Sequence, residues 1–447
     1  MILTALALAL VPPPAGTPDC PWPGAAETNI PIAGAGSDLS AATWNPQSET
    51  LWVARQNRQA WEYGYNANAQ AFELVRTLTL PGDGSCGGIG CDIEAIAQID
   101  HGAVEELYTL AEDQGRLSRV VDLGGTPTVA AAWNLEVLDN GHALPPETGN
   151  GFGAEALEFA PDADLIAAGF RYPDGSPFTG STLGMGGLIF IGHQVEGRLH
   201  VFDVNPAVSE DFVNHGSFLT ASSDIAGLHF DRSSGQMLIW HNTPTNVNSL
   251  EVSTLSSDAT VGTLDGYLLY SSAMPAGNLE GLALVTTSAC GDYGSGTGER
   301  ALFCTRDGGA NNLVLFEGFP CGASTETSRL GTPPNPPALL PGASGGPTLG
   351  EVWEPVVDHG SFLTTAFADV LLFSTTSLNF DLGPKGTLLV GVPFLNFAPI
   401  VEAGEPFSIP IPFSCSLAGA NLYVQAGSDD GFLFELTNAL DVVLGTF

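Results

Sequence analysis

The sequence predicts an all-β protein: a five-bladed β-propeller, or a six-bladed one if the N-terminal segment helps build a further blade, followed by a small β-sandwich-like domain. Three observations predict it. A short motif recurs five times at blade-like intervals, and the apolar runs have strand length without helical periodicity. A proline-rich stretch then separates these repeats from a second region of alternating runs.

The recurring motif reads Asp38-Leu39-Ser40-Ala41-Ala42, Asp92-Ile93-Glu94-Ala95-Ile96, Gly153-Ala154-Glu155-Ala156-Leu157, Asp224-Ile225-Ala226-Gly227-Leu228 and Asn278-Leu279-Glu280-Gly281-Leu282. Each copy opens an apolar run. Turn residues such as Asn45-Pro46 or Asp231-Arg232-Ser233-Ser234-Gly235 follow, and then a second run such as Leu51-Trp52-Val53-Ala54 or Met237-Leu238-Ile239-Trp240. The copies start 54 to 71 residues apart, which suits four-stranded units stacked about an axis. The widest spacing follows the third copy, which carries a Gly-, Pro-, Ser- and Thr-rich insertion around residues 171–187. Such an insertion belongs on a loop.

The repeats are expected to occupy residues 20–326, an extended linker residues 327–347, and the second all-β domain residues 348–447. Residues 1–16 resemble a signal peptide, with an apolar stretch from Met1 to Leu10 too short to span a bilayer. A secreted protein is expected, extracellular or at the cell surface, with the periplasm as the alternative. Seven cysteines without a C-x-x-C pair agree with export and argue against a zinc ribbon. Spacing suggests Cys86 with Cys91, Cys290 with Cys304 and Cys20 with Cys321, which leaves Cys415 alone.

The net charge is −37, from 12 Lys+Arg against 49 Asp+Glu. Nucleic acid and anionic membrane surfaces need clustered cations, so neither is an expected partner, and no membrane insertion is expected. A small-molecule or surface ligand remains, and the arginines noted below would favour an anionic one. Gly342-Ala343-Ser344-Gly345-Gly346 lies in the expected linker and reads as a spacer and not as a nucleophile elbow, and no H-E-x-x-H, Walker A or EF-hand loop occurs.

In a propeller the strand opening each blade is innermost, so equivalent residues at its start converge on the central channel. Glu94, Glu155 and Glu280 are equivalent, with Ser40 and Ala226 in the remaining copies. Asp38, Asp92 and Asp224 stand two positions earlier, where the fifth copy has Asn278. This is an all-oxygen donor set, suited to calcium or magnesium and not to zinc. Left unpaired, carboxylates about 5 Å apart would repel by ~3 kcal/mol per pair at an effective dielectric near 20. The competing reading has these groups hydrogen-bond backbone N–H and tie blades together. Turns ending the second strands add Arg55, Glu112, Asp113, His193, His241, Asn242, Arg306 and Asp307. Of the polar groups expected at this rim, Arg171, His193, His241 and Arg306 are the candidates for catalysis or anion binding.

Asn278-Leu279-Glu280-Gly281-Leu282-Ala283 and Asp224-Ile225-Ala226-Gly227-Leu228 resemble the blade openings of SdiA-regulated (YjiK-like) propellers, as does Asp92-Ile93-Glu94-Ala95-Ile96-Ala97. Glu155-Ala156-Leu157 with Gly169-Phe170-Arg171-Tyr172-Pro173 is similar to phytase-like esterase propellers. The resemblance covers roughly residues 35–320, and the closing run of the tail is similar to a domain recurring on secreted bacterial proteins. It implies a periplasmic or extracellular propeller with calcium in its channel. Alanines replace the usual glycine at Ala41-Ala42, Ala95 and Ala156, and Ala226 replaces a serine. Two functions stay open: a non-catalytic metal-binding scaffold or binding module, and a metal-dependent phosphoesterase or esterase working at the propeller mouth.

Overall fold

A computed structural model describes residues 19–22, 27–82, 92–147, 153–194, 196–242, 247–255, 262–264, 266–274, 276–296, 298–307, 313–316, 318–343, 346–395 and 398–446. The expected signal peptide and the pair Cys86 and Cys91 lie outside these residues. The chain divides into two units. Among the described residues, 19–319 form one and 320–446 form the other.

The first unit is a β-propeller. Its described residues form five blade sheets: four hold four consecutive antiparallel strands running outward from the innermost, and the fifth holds three such strands with an N-terminal strand outside them. The innermost strands are Leu39–Asn45, Ile93–Ala97, Ala154–Pro161, Ile225–Asp231 and Leu279–Leu284. Each packs beside the next, and the fifth packs beside the first, so the ring closes. The N-terminal segment does not start another sheet among the described residues. Glu27–Ile30 pairs with Leu313–Phe316 as the outer strand of the fifth sheet, and Asp19–Pro21 runs parallel to Gly266–Ser272 of the fourth. Between those strands Trp22 packs edge-on against Tyr270 and Phe316 and stacks on Phe319. Chain start and last blade are thereby joined by aromatic burial.

The motif copies fold alike because each inner strand carries a bulge near its start, at the same place in four copies and one residue later in the fifth. In the first four sheets the pairing with the second strand passes over Ser40, Glu94, Glu155 and Ala226. A bulge re-aims the extra side chain and sharpens the local twist. In the fifth sheet the residue passed over is Gly281. Its φ of +48° is left-handed, and an added Cβ would lie 2.6 Å from Ala42 N and 2.7 Å from Thr305 Oγ1. Small residues at this level let the strands crowd the axis, and Ile96, Leu157, Leu228 and Leu282 close it. Farther along, Arg300 is fully buried; it donates to Asp231 at 2.7 Å and to the Val285 carbonyl, tying the fifth sheet to the fourth.

The second unit is built on a five-stranded sheet in the order Thr325–Arg329, Phe434–Val443, Asn421–Asp429, Ala368–Ser374, Ile400–Glu402. Three two-stranded ladders accompany it, and Trp353, Phe373, Val424 and Leu440 lie in its core. The expected linker at 327–347 is a correction, as is the propeller's end at 326. Thr325–Arg329 is an edge strand of this sheet, and Asn335 is buried and donates to the carbonyls of Thr387 and Thr437. Proline punctuation here shapes a packed segment instead of freeing it.

Cysteine pairing also departs from the spacing argument. Cys304 is a free, buried thiol, so it is not bonded to Cys290. Cys20, Cys290, Cys321 and Cys415 are all disulfide-bonded, so Cys415 is not the leftover. Cys304 sits inside a strand, where its side chain packs as a small hydrophobe.

Replacing Gly281 by alanine combines a left-handed φ with backbone overlap, so it is expected to cost more than about 2 kcal/mol. Gly235→Ala shares the positive φ but meets open space, and about 1 kcal/mol is expected there. Denaturant midpoints of the two variants check the difference.

Candidate metal centre

The bulges bring Glu94, Glu155 and Glu280 together from three different sheets. One carboxylate oxygen from each lies within 4.8 Å of the other two. A second trio, Asp92, Glu94 and Glu112, meets the same limit and shares Glu94. All three glutamates of the first trio are buried, at 3 %, 5 % and 9 % exposure, and Glu112 is buried as well. The cavity bordered by Glu94, Glu155 and the small axial residues has a volume of about 10 Å3, which is roughly one water-sized sphere.

Glu112 is the residue the motif did not single out as a ligand. It follows the second strand of the second sheet, where its backbone N–H donates to Asp92 O. Gly153, at the head of the third motif copy, makes room for it. A Cβ on residue 153 would sit 2.6 Å from Glu112 Cγ and 3.1 Å from its Oε1. The other four copies carry a side chain at that position. The glycine that breaks the Asp/Asn pattern therefore seats a carboxylate from the neighbouring blade.

Asn278 supplies N–H to this acidic surface, donating from Nδ2 to Glu280 at 3.2 Å and to Asp307 at 2.9 Å while its Oδ1 accepts from Asn242. Other acceptors are left bare. Asp92 Oδ1, Glu112 Oε1 and Asn242 Oδ1 are buried with no hydrogen-bond partner. Nearby arginines are committed elsewhere: Arg55 lies 3.6 Å from Asp38, and Arg306 pairs with Glu27.

Proton affinities follow from this crowding. Burial, then Glu280 and Asp92, push the Glu94 carboxyl well above its usual range. Burial, then Glu94, Glu280 and Glu112, do the same to Glu155. Glu280 is raised to about 8, by burial first and Asp307 second. Glu112 is raised to about 7 by burial, partly offset by its hydrogen bond with Glu155. Without a cation the crowding favours the protonated forms of Glu94 and Glu155.

The donor set fits calcium. Two oxygens sharing a calcium ion at 2.3–2.6 Å are at most about 5 Å apart, and calcium tolerates irregular shells of carboxylate and amide oxygens. Bare acceptors buried without donors are what a hard cation satisfies. Residues that would hold it are Glu94, Glu155 and Glu280, with Asp92 and Glu112 adjoining.

The remaining sequence candidates lie elsewhere, and each is a correction. Asp38 is half-buried and faces Arg55. Asp224 accepts from the Ser223 hydroxyl at 2.8 Å, and its backbone links the third and fourth sheets through Gln194 and Asn242. Both adopt left-handed φ, of 65° and 59°, which Asp tolerates better than most residues. His241 is fully buried, with Nε2 3.1 Å from Glu251 and Nδ1 3.2 Å from Ser223 O. His193 is buried against His200, ring centroids 6.2 Å apart, and burial lowers its proton affinity. Arg306 serves the N-terminal strand through Glu27. Arg171 comes after Pro161, the far end of the strand that starts beside Glu155. Six residues of strand put that far end ~20 Å from the cluster.

No family model and no curated protein matches this chain. Among solved structures it is similar to the β-propeller domain of Myceliophteria thermophila Cps50 (Swd1), at 13 % identity and TM-score 0.30 over 64 % of this chain and 75 % of that one. The Mitotic Checkpoint Complex matches at 11 % and 0.32, over 63 % of this chain and 75 % of that one. A Lactobacillus plantarum protein matches at 13 % and 0.31, over 55 % and 62 %. The propeller assignment rests on the sheets themselves.

The raised carboxyls give stability a definite pH slope. Between the ordinary glutamate value of 4.5 and about 8, folded Glu280 keeps a proton that the unfolded chain has released. Stability present at low pH is therefore lost as pH rises through that window. In divalent-free buffer the melting temperature is expected to fall across it, and Glu280→Gln is expected to flatten the decline.

Proposed function

We propose that the protein is an exported, non-catalytic β-propeller binding module whose channel holds one calcium ion as an inter-blade tie. The observation that carries this reading is the meeting of Glu94, Glu155 and Glu280 from three sheets within 4.8 Å of one another, all buried. An ion there bonds side chains whose positions lie 61 and 125 residues apart in the chain, so its binding energy becomes folding energy of the ring. The bare oxygens of Asp92 and Glu112 support the same reading. Four disulfide-bonded cysteines support an oxidising destination.

A metal-dependent esterase would need a nucleophile, base or anion clamp beside the cation. His241 and Arg306 are occupied by Glu251 and Glu27, and Arg171 is at the other end of its blade. The cavity at the axis bordered by Glu94 and Glu155 is about 10 Å3, room for roughly one water-sized body. These facts favour the binding module.

Calcium titration followed by thermal melting tests the proposal. At about one hundred times its dissociation constant calcium is expected to stabilise the wild-type protein by ~2.7 kcal/mol. Glu155→Gln is expected to melt higher than wild type without calcium at pH about 8, because the cost of holding that buried carboxyl above its usual proton affinity is gone, and to lose the calcium response. Equal calcium responses in the two proteins would contradict the site.

A further inference from the structure

We propose that one proton, held between His359 and Asp369, latches the loop of residues 358–366 onto the sheet of the second unit, and that the loop is released as pH rises. This loop follows the short strand Val356–Val357 and leads into Ala368–Ser374 of the five-stranded sheet. The His359 imidazole stands between acceptors on both sides. Its Nδ1 lies 2.9 Å from Phe362 O and 3.2 Å from Leu363 O. Its Nε2 lies 3.0 and 3.1 Å from the two carboxylate oxygens of Asp369.

A neutral imidazole has one N–H and one bare lone pair. It can serve the carbonyls or the carboxylate but not both, so this geometry requires a second proton on the pair. Asp369 is fully buried and placed as an acceptor: Oδ1 also takes the Ser428 hydroxyl, and Oδ2 takes the Gly404 N–H at 2.9 Å. The proton therefore sits on the ring, and the pair is an imidazolium with a carboxylate. Three segments meet at Asp369 as a result, the loop, the turn at Gly404 and the strand that carries Ser428. The Ser428 hydroxyl is spent on the carboxylate, so the arrangement is a clasp and not a nucleophile with its base.

The other charged groups on the segments packed against His359 are exposed or spent. Asp358, on the loop itself, is exposed and accepts the Gly360 N–H at 2.8 Å. Glu402 and Glu405, beside Gly404, are exposed. Asp429 and Asp430, at the end of the strand that carries Ser428, accept the N–H groups of Gly431 and Phe432. Burial lowers the proton affinity of His359, but the bonds to Asp369 and to the Phe362 carbonyl outweigh it and hold the ring above its usual value of 6.5. A group raised in this way stabilises the closed loop fully below 6.5 and loses that effect as pH rises through the raised value. Deprotonation leaves a ring lone pair against a buried carboxylate, an unmet acceptor on each side. The residue let go is Phe362, which stacks on the His359 ring at 5.9 Å and is buried in the core of the unit.

Two readouts on the whole protein test the latch. Imidazole nitrogen NMR follows the titration of His359, assigned by the signals lost in His359→Gln. Hydrogen exchange, corrected for its intrinsic pH dependence, follows the opening of residues 360–366. The ring is expected to carry both protons at about pH 6 and to titrate with a midpoint above 6.5. Loop opening is expected to stay level below 6.5 and then to grow about tenfold per pH unit until that midpoint is passed. Asp369→Asn is expected to lower the midpoint and flatten the pH dependence of opening; if that buried variant does not fold, His359→Gln, whose opening should not vary with pH, decides. A neutral His359 ring at about pH 6, or loop protection in the wild type that ignores the titration of His359, would overturn the proposal.

Discussion

Crowding of carboxylates at a buried axis is the constraint on which the rest of this propeller depends. Glu94, Glu155, Glu280 and Glu112 lie where water cannot solvate their charge, and arginines in reach are spent on other acids. Such a group is tolerated in two forms only, protonated or bound to a cation. In the protonated form Glu155 and Glu112 meet from neighbouring sheets while Asp92 and Glu94 meet within one; a cation would join side chains of three sheets through one ion.

The local architecture is organised around that requirement. Bulges at the same level of each inner strand turn the motif residues toward the axis, and Gly153 vacates the space that Glu112 fills. Ala226 and Ser40 complete the ring at the two positions without an acid, which keeps the charge within what one divalent ion and a few protons neutralise. Twelve cationic residues against 49 acids make each arginine position informative.

The convergence of Glu94, Glu155 and Glu280 was legible in the sequence because a repeat places equivalent residues at equivalent radii. Glu112 was not legible as a ligand, since its approach depends on a missing Cβ in the next blade. Arg171 was misplaced for a simpler reason: loops after an inner strand and loops after a second strand leave at opposite ends of the blade. His241 sits at the right end, yet Glu251, ten residues on and across the adjacent strand, claims it. That pairing becomes visible only once the register is known. The tail's all-β character was legible from alternation, whereas the proline-rich segment hid an edge strand because composition reports chain stiffness and not packing.

The most direct measurement is anomalous diffraction from crystals grown with calcium. The account predicts one peak bonded to oxygens of Glu94, Glu155 and Glu280 at about 2.3–2.6 Å. Carboxyl groups joined to each other at hydrogen-bond distance around that axis, with no peak between them, would contradict it.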